Sequence, residues 1–397
     1  MADVTARAYL DHAATTPMVP AARAAWIEQS ERVGNPSSLH ASGRRARRVV
    51  EEARESVASQ LGVRPSAVVF TGGGTEADNL AVKGLFWAAG EAAGARRVLV
   101  SAVEHHAVLD PAQWLADAQG AALTLLPVDG LGRVDLDVLA HELTGPPVAV
   151  CSVMWANNEV GTVQPVHEIA ALCRSAGVPF HTDAVQALGH VPLDLDGIDA
   201  ATLSGHKIGG PVGVGALVVD PRRDVTPVLH GGGQEREIRS GTLDVAGIAA
   251  FAAAVEHAVR GQAERSAHLL GLRRALERGI LAAVPDAVLN GDPGERPDRR
   301  LPGNVHVSFP GCEGDLLLML LDAAGVDCST GSACTAGIPE PSHVLLAMGA
   351  SLAAARSSLR FTLGETSTVA DVDAVVAAIP AAVDRARRAG TVSLRTV

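Results

Sequence analysis

From about Ala67 to Val219 the chain alternates short, β-rich apolar runs with stretches of helical pattern. Ala67–Thr71, Arg97–Ser101, Ala122–Pro127, Val148–Val153, Pro179–Thr182 and Ala200–Leu203 read as strands. Their apolar runs are continuous rather than alternating, which predicts strands buried on both faces. Thr75–Ala88, Val108–Ala118 and Pro165–Ala176 read as helices between them. Such a βαβ series predicts an α/β unit built on a mostly parallel sheet.

The pattern changes after about Gly261. Helices over Gln262–Ala283 and Val369–Arg388 bracket strand-like pieces at Asn304–Ser308, Val326–Cys328 and Ser358–Thr362, as in a smaller α+β unit. Gly291–Gly303, rich in proline, glycine and charge, reads as a surface loop within it. The expected division is a large unit over residues 15–260 and a small C-terminal unit over 261–397 that also takes in residues 1–14. A length of 397 residues suits two domains.

Composition narrows the classes. Apolar residues make up 47% of the chain and aromatics only 3%, so Ala, Val and Leu must fill the core. The formal net charge of −11 argues against a nucleic-acid partner, and the basic run Arg44–Arg48 reads as an exposed helix face. Met1–Tyr9 has no apolar signal core, and no segment approaches the roughly 18 apolar residues of a membrane helix. A cytoplasmic protein with no membrane partner is expected. Cysteines at 151, 173, 312, 328 and 334 form an odd, scattered set, which argues against a disulfide framework. Their spacing suggests no closed zinc site, and none is expected.

Four segments carry chemistry. In Val69–Glu76 a strand runs through Gly72, Gly73 and Gly74 into a helix. Glycines allow a tight turn and close approach, and the helix start offers free N–H groups and positive potential. With the Thr75 hydroxyl this is a candidate phosphate cup, although a plain strand–helix turn would look the same. In Ser204–Pro211 a lone lysine, Lys207, stands between His206 and glycines at a strand end, where an exposed turn lysine is the alternative. A lysine that condenses with a carbonyl needs a partly desolvated site, and Ser204 and His206 are candidate phosphate donors. Asp183 ends another strand, where a buried carboxylate would keep a pyridinium nitrogen protonated; a helix cap is the alternative. In Asp327–Gly337, Cys334 sits among small residues as an accessible thiol. Cys312, between glycines, is the rival exposed thiol, and Cys334 is preferred. Cys328 and Cys151 read as packed strand residues and Cys173 as a helix-face residue.

These segments are accompanied by Tyr9–Pro17, Gly34–His40, Glu104–Val108, Asn157–Gly161, Gly231–Glu235, Arg239–Thr242, Ser332–Thr335 and Glu340–Leu345. In this order, over nearly the whole chain, they resemble the cysteine desulfurases of the NifS/IscS type. Those belong to the class V aminotransferase group of fold-type I pyridoxal-phosphate enzymes. The resemblance implies a large domain with a seven-stranded, mostly parallel sheet between helices, and a smaller α+β domain carrying the cysteine. It implies pyridoxal 5′-phosphate held on Lys207, with Asp183 on the pyridine nitrogen and Gln186 on the ring oxygen. His105 would stack on the ring and handle protons. Gly74, Thr75, Ser204 and His206 would hold the phosphate, and Thr242 would reach the phosphate of a second subunit in a homodimer. Arg360 would clamp the substrate carboxylate, with Asn157 and Asn35 assisting and Asn157 also near the cofactor.

The implied reaction takes sulfur from L-cysteine, leaving L-alanine and a persulfide on Cys334 for a sulfur-acceptor protein. That acceptor could be an iron–sulfur scaffold or a tRNA-thiolation enzyme, and Cys334 stays open as a transient iron–sulfur ligand. One departure stands out. His106 replaces a frequent lysine and is expected to point away from the site. The cysteine loop is of the long kind and lacks Arg-x-Gly-His-His-Cys. The rival readings are a selenocysteine lyase or other β-eliminating lyase of this fold, and a non-catalytic sulfur or iron–sulfur scaffold.

Overall fold

The computed structural model describes residues 7–331, except 295 and 297, and residues 341–393. After a short strand β1 (Ala8–Tyr9) come helices α1 (Pro20–Ser30) and α2 (Ala41–Leu61). The side chain of His40 caps α2 by accepting from Gly43 N, and Gly62 ends it at φ 68°. Ala46, Val50, Ala53, Val57 and Leu61 recur every three or four residues on its buried face. The run of arginines lies on the opposite, solvated face.

The alternating region follows as β2 (Val68–Thr71), α3 (Gly74–Ala93), β3 (Arg97–Ser101), α4 (His106–Gln119), β4 (Ala122–Leu126), α5 (Leu136–Leu143), β5 (Val148–Ser152), α6 (Val166–Ser175), β6 (Phe180–Asp183), β7 (Ala200–Ser204) and β8 (Gly215–Val219). These strands form one sheet in the order β2-β8-β7-β6-β5-β3-β4. Only β8 runs antiparallel to its neighbours. The link from β7 to β8, residues 205–214, is too short for a helical crossover, so β8 must turn straight back. That link carries Lys207.

The strands are apolar throughout because both faces are covered. Val68 and Phe70 of β2 join one core with α2 and the helix α7 (Val245–Arg260), while Val69 joins a second core with α3 and α4. The exception is β4, which was expected to be buried on both faces. It is one of the sheet's two edge strands, and its Leu125 is 53% exposed.

The remainder comprises α8 (Gln262–Ala283), β9 (Val288–Leu289), β10 (Asn304–Ser308), α9 (Gly314–Ala323), β11 (Val326–Asp327), α10 (His343–Ala347), α11 (Leu352–Arg356), β12 (Ser358–Thr362) and α12 (Val369–Ser393). β12, β10 and β9 form an antiparallel sheet backed by α8, α9 and α12. Ala8 and Leu10 belong to this third core, and β1 pairs in parallel with β11. This anchorage brings residues 11–14 over the ends of the parallel strands. Among the described residues no helix is long and apolar enough to cross a membrane.

Candidate active site

The C-terminal ends of β2, β3, β5, β6 and β7 point the same way because these strands are parallel. The turns leaving them converge, as at the ligand crevice of an open α/β sheet. With Ser329, Gly331, His343 and Arg360 they enclose a cavity of about 390 Å³. A larger groove of about 810 Å³ lies elsewhere, between Leu61–Arg64 and Asp194–Asp199. It holds paired aspartates and arginines and none of the groups described below.

The turn after β2 forms the cup. Gly73 sits at φ 137°, a conformation that only glycine adopts readily. A Cβ on Gly74 would come within 3.1 Å of Val185 Cγ2 and 3.4 Å of Ser204 Cβ, so a side chain there would fill the space. Thr75, Ser204 and His206 line the cavity beside it. Burial, and then Lys207, lower the His206 pKa to about 4, so at neutral pH its ring is uncharged and can donate one proton. The cup is braced from outside. Glu76 accepts from Gly72 N at 2.8 Å and pairs with Arg239 Nε at 2.7 Å. Glu235, 1% exposed, holds Arg54 through two bonds of 2.7 and 2.8 Å and also accepts from Phe70 N in β2. Arg236 and Glu237 follow it at φ 51° and 63°.

Lys207 donates from Nζ to the carbonyls of Ala13 and Ala14 at 2.6 and 2.8 Å, and Gln186 Nε2 also reaches Ala13 O, at 3.0 Å. Burial, and then the nearby Arg360 charge, lower the Lys207 pKa to about 8, against the opposing effect of Asp183 and Asp11. Asp183 is 6% exposed, and its Oδ1 accepts from Val185 N at 2.8 Å. Burial raises its pKa to about 6, while Val185 N–H and Lys207 oppose the rise. The carboxylate is therefore the main form at neutral pH. Behind it His181 is bonded by Ser152 at 2.8 Å and Thr202 at 3.0 Å. Asp78, 1% exposed, lines the same wall; its Oδ1 makes no hydrogen bond among the described residues and lies 3.6 Å from His181 Nε2. Burial and then Asp183 push its pKa well up, against a hydrogen bond from Thr202, so burial and the neighbouring carboxylate favour its protonated form.

His105 caps α4: its Nδ1 accepts from Ala107 N at 3.0 Å. That bond leaves the ring proton on Nε2. The ring opens to the cavity but is walled by protein. Burial and Lys207 lower its pKa to about 4, so it is neutral.

Arg360, 5% exposed, bonds Asp11 Oδ1 at 2.7 Å and Asn158 O at 3.1 Å, and its Nε has no partner among the described residues. Asn157, the expected helper, is not among the described residues that line the cavity. Its Nδ2 donates to Val103 O, and its Oδ1 accepts from Glu159 N and Val160 N, so its amide is spent on shaping the turn. The adjacent Asn158 lines the cavity instead. Asn35 is exposed and bonds Ser37 N, and Thr242 is exposed; neither lines the cavity in this chain. His106 was expected to point away. It stands at the rim, edge-to-face with His343 at 5.1 Å and 2.9 Å from Asp110.

The cysteines separate clearly. Cys312, expected to be exposed, is 6% exposed because α12 covers it, and burial raises its pKa. Cys328 is 8% exposed with its pKa pushed up to about 12, first by burial and then by Asp11 and Asp327. Cys151 and Cys173 are fully buried. Cys334 lies outside the described residues, in 332–340. Gly331 just before that segment and His343 just after it both line the cavity.

Sequence reasoning assigned no role to Asp11, Asp78, Glu159 or His343, all of which form or brace this cavity. Asp78 did leave a signal: it is an acid on the helix face that carries Ala77, Ala81 and Val82. The pairings of Asp11 and Glu159 left none.

The class-V aminotransferase family model matches residues 8–375. An IscS-like cysteine desulfurase of Mycobacterium tuberculosis is 56% identical over 390 residues, spanning 96% of this chain and 98% of the relative. A solved NifS-like protein superposes with a TM-score of 0.86 at 34% identity, covering 95% of this chain and 99% of its own. A structure of SspA in complex with cysteine superposes with a TM-score of 0.76 at 33% identity, covering 89% and 98%. The chain belongs to the class-V aminotransferases and, within them, to the IscS/NifS-like cysteine desulfurases.

Proposed function

We propose that this chain takes sulfur from L-cysteine and holds it as a persulfide on Cys334, releasing L-alanine, with pyridoxal 5′-phosphate carried on Lys207. One observation carries the reading. A single cavity gathers an anion cup, a carboxylate at a strand end, a lysine with lowered pKa and a buried arginine, and both flanks of the Cys334 segment line it. The cavity suits the cofactor: Gly74 leaves room where a Cβ would crowd Val185, and Asp183 offers an anion to a protonated ring nitrogen.

When bound, pyridoxal phosphate supplies a carbonyl for the substrate amine and a ring that withdraws electrons from Cα. The protein does the rest. Gly74, Thr75, Ser204 and His206 hold the phosphate, and Asp183 keeps the ring nitrogen protonated. Arg360 receives the substrate carboxylate, with Asn158 at its side. Lys207, with a pKa of about 8, can be a neutral amine and take the Cα proton. His105 presents Nε2–H to the cavity as a neutral donor. The Cys334 thiolate then attacks the substrate sulfur; an S–S bond forms and the C–S bond breaks. Cys334 lies three residue steps from Gly331, a reach of at most about 11 Å. Cys312 and Cys328 are buried with raised pKa values, which disfavours them as nucleophiles.

We read the chain as two units, 15–260 and 261–397 with 1–14, and as a homodimer in which the exposed Thr242 meets the partner's phosphate. A sulfur-acceptor protein receives the persulfide. Mass spectrometry of the holoenzyme after L-cysteine tests the reading. One added sulfur on Cys334 and an equivalent of alanine are expected. Sulfur on a different cysteine, or turnover that leaves Cys334 unmodified throughout, would overturn it.

A further inference from the structure

Glu159 is buried at 2% exposure beside the cavity, and none of the steps above uses it. Burying a carboxyl is costly unless it is bonded, and its bonds reveal a task. Ser342 Oγ donates to Glu159 Oε2 at 2.5 Å. The same hydroxyl accepts from Leu345 N and so caps α10. A Cβ built on Gly331 would lie 3.5 Å from Glu159 Oε2 and 3.2 Å from His306 Nε2. One carboxylate oxygen therefore bonds Ser342 and faces the position where a side chain on Gly331 would stand; Gly331 and Ser342 flank residues 332–340 as two stems. Near the same built Cβ stands His306, fully buried. Its Nδ1 accepts from Asn290 at 3.0 Å, and its Nε2 has no partner among the described residues. Gly331 itself sits at φ 86°, so both conformation and crowding call for glycine there.

The base of Glu159 is rigid. Asn157 Oδ1 accepts from its N–H at 2.9 Å, and Asn304 Nδ2 donates to its carbonyl at 3.0 Å. Its neighbour Asn158 accepts from Arg360 Nη1 at 3.1 Å. The turn 157–160 thus fixes the arginine on one side and the two stems on the other.

We propose that Glu159 is a positioning residue for sulfur transfer, registering the stems at Gly331 and Ser342 to the same turn that fixes Arg360. The inference rests on Cys334 being the sulfur acceptor. Misplacement of reacting atoms by about 1 Å can cost about 10²-fold in rate, so loss of this registry should slow transfer without weakening substrate binding.

The test compares wild-type holoenzyme with Glu159→Ala, Glu159→Gln and Ser342→Ala. Three quantities are read: bound cofactor, the L-cysteine titration of its absorbance, and the single-turnover rate at which Cys334 gains sulfur, by quench and mass spectrometry. Glu159→Ala and Ser342→Ala should bind cofactor and cysteine as wild type does but gain sulfur about 10–100-fold more slowly. Glu159→Gln keeps an oxygen for the Ser342 hydroxyl and should lie closer to wild type than to Glu159→Ala. If Glu159→Ala does not fold, Ser342→Ala against Glu159→Gln makes the same comparison. Wild-type transfer rates in the alanine variants, or an equal loss of cysteine binding and transfer, would overturn the proposal. Sulfur on another cysteine of the wild-type protein would instead overturn the functional reading, and this inference with it.

Discussion

Arg360 Nη2 lies 2.7 Å from Asp11 Oδ1, a pair 349 residues apart in sequence that closes one wall of the cavity. Asp11 holds the guanidinium without saturating it, since Nε is left without a partner among the described residues. A substrate carboxylate could therefore be received by an arginine already fixed in place.

Replacing Arg360 by lysine should raise KM for L-cysteine about 10–100-fold, the equivalent of one charged hydrogen bond at about 1.5–3 kcal/mol. An ammonium cannot reproduce the planar fork. Cofactor content should not change. Steady-state kinetics and absorbance titration check this, and an unaltered KM would remove Arg360 from substrate binding.

Cys334→Ala should keep the cofactor's yellow absorbance and lose sulfide production. Cys312→Ala and Cys328→Ala should both keep turnover, because those thiols are buried and their pKa values raised. Sulfide release in the presence of a thiol reductant reads all three variants. Full activity of Cys334→Ala would rule out the nucleophile assignment.

His306 makes acid stability testable. Burial, followed by Arg360 and Arg300, lowers its pKa from 6.5 to about 3. Between those values the unfolded chain binds a proton that the folded chain refuses. The stability is thus fully present above pH 6.5 and is lost as pH falls toward 3. Urea unfolding at pH 6.5, 5.5 and 4.5 should show wild type losing about 1.4 kcal/mol per pH unit more than His306→Gln. Equal slopes would show that His306 takes up its proton in the fold as it does in the unfolded chain.

The Arg54–Glu235 pair should behave as a buried ion pair, with side-chain exposures of 6% and 0%. Glu235→Ala leaves Arg54 desolvated and should cost about 3–5 kcal/mol. The double change Arg54→Met with Glu235→Leu should recover part of that loss. Denaturant melts of the three proteins decide the point: a single variant as stable as wild type would mean that the pair does not brace β2.

Much of the site was legible because its signals are local. The glycine turn after Val69–Thr71, Asp183 at a strand end and Lys207 among glycines each depend on residues adjacent in the chain. Parallel strands then bring such ends together whatever the details of packing. The apolar runs predicted covered strands correctly for the interior of the sheet. They failed at β4 but not at β2, the other edge strand, because whether an edge strand's faces are covered depends on which distant elements pack over it and not on its own residues.

What is decided over long separations was not legible. Cys312 sits between glycines and looks exposed, yet α12, about 70 residues on, covers it. Asn157 and Asn158 are indistinguishable as letters, and only the turn's geometry sends the Asn157 amide to the backbone and puts residue Asn158 on the cavity wall. Glu159 meets Ser342 across 183 residues. The sequence alone determined the strand–helix alternation, the cup and the lysine, because backbone preference and periodicity act within a few residues. Tertiary structure decided which thiols are buried, which asparagine faces the cavity and what holds the stems beside Cys334. Burial and hydrogen-bond partnership depend on which distant segments pack together.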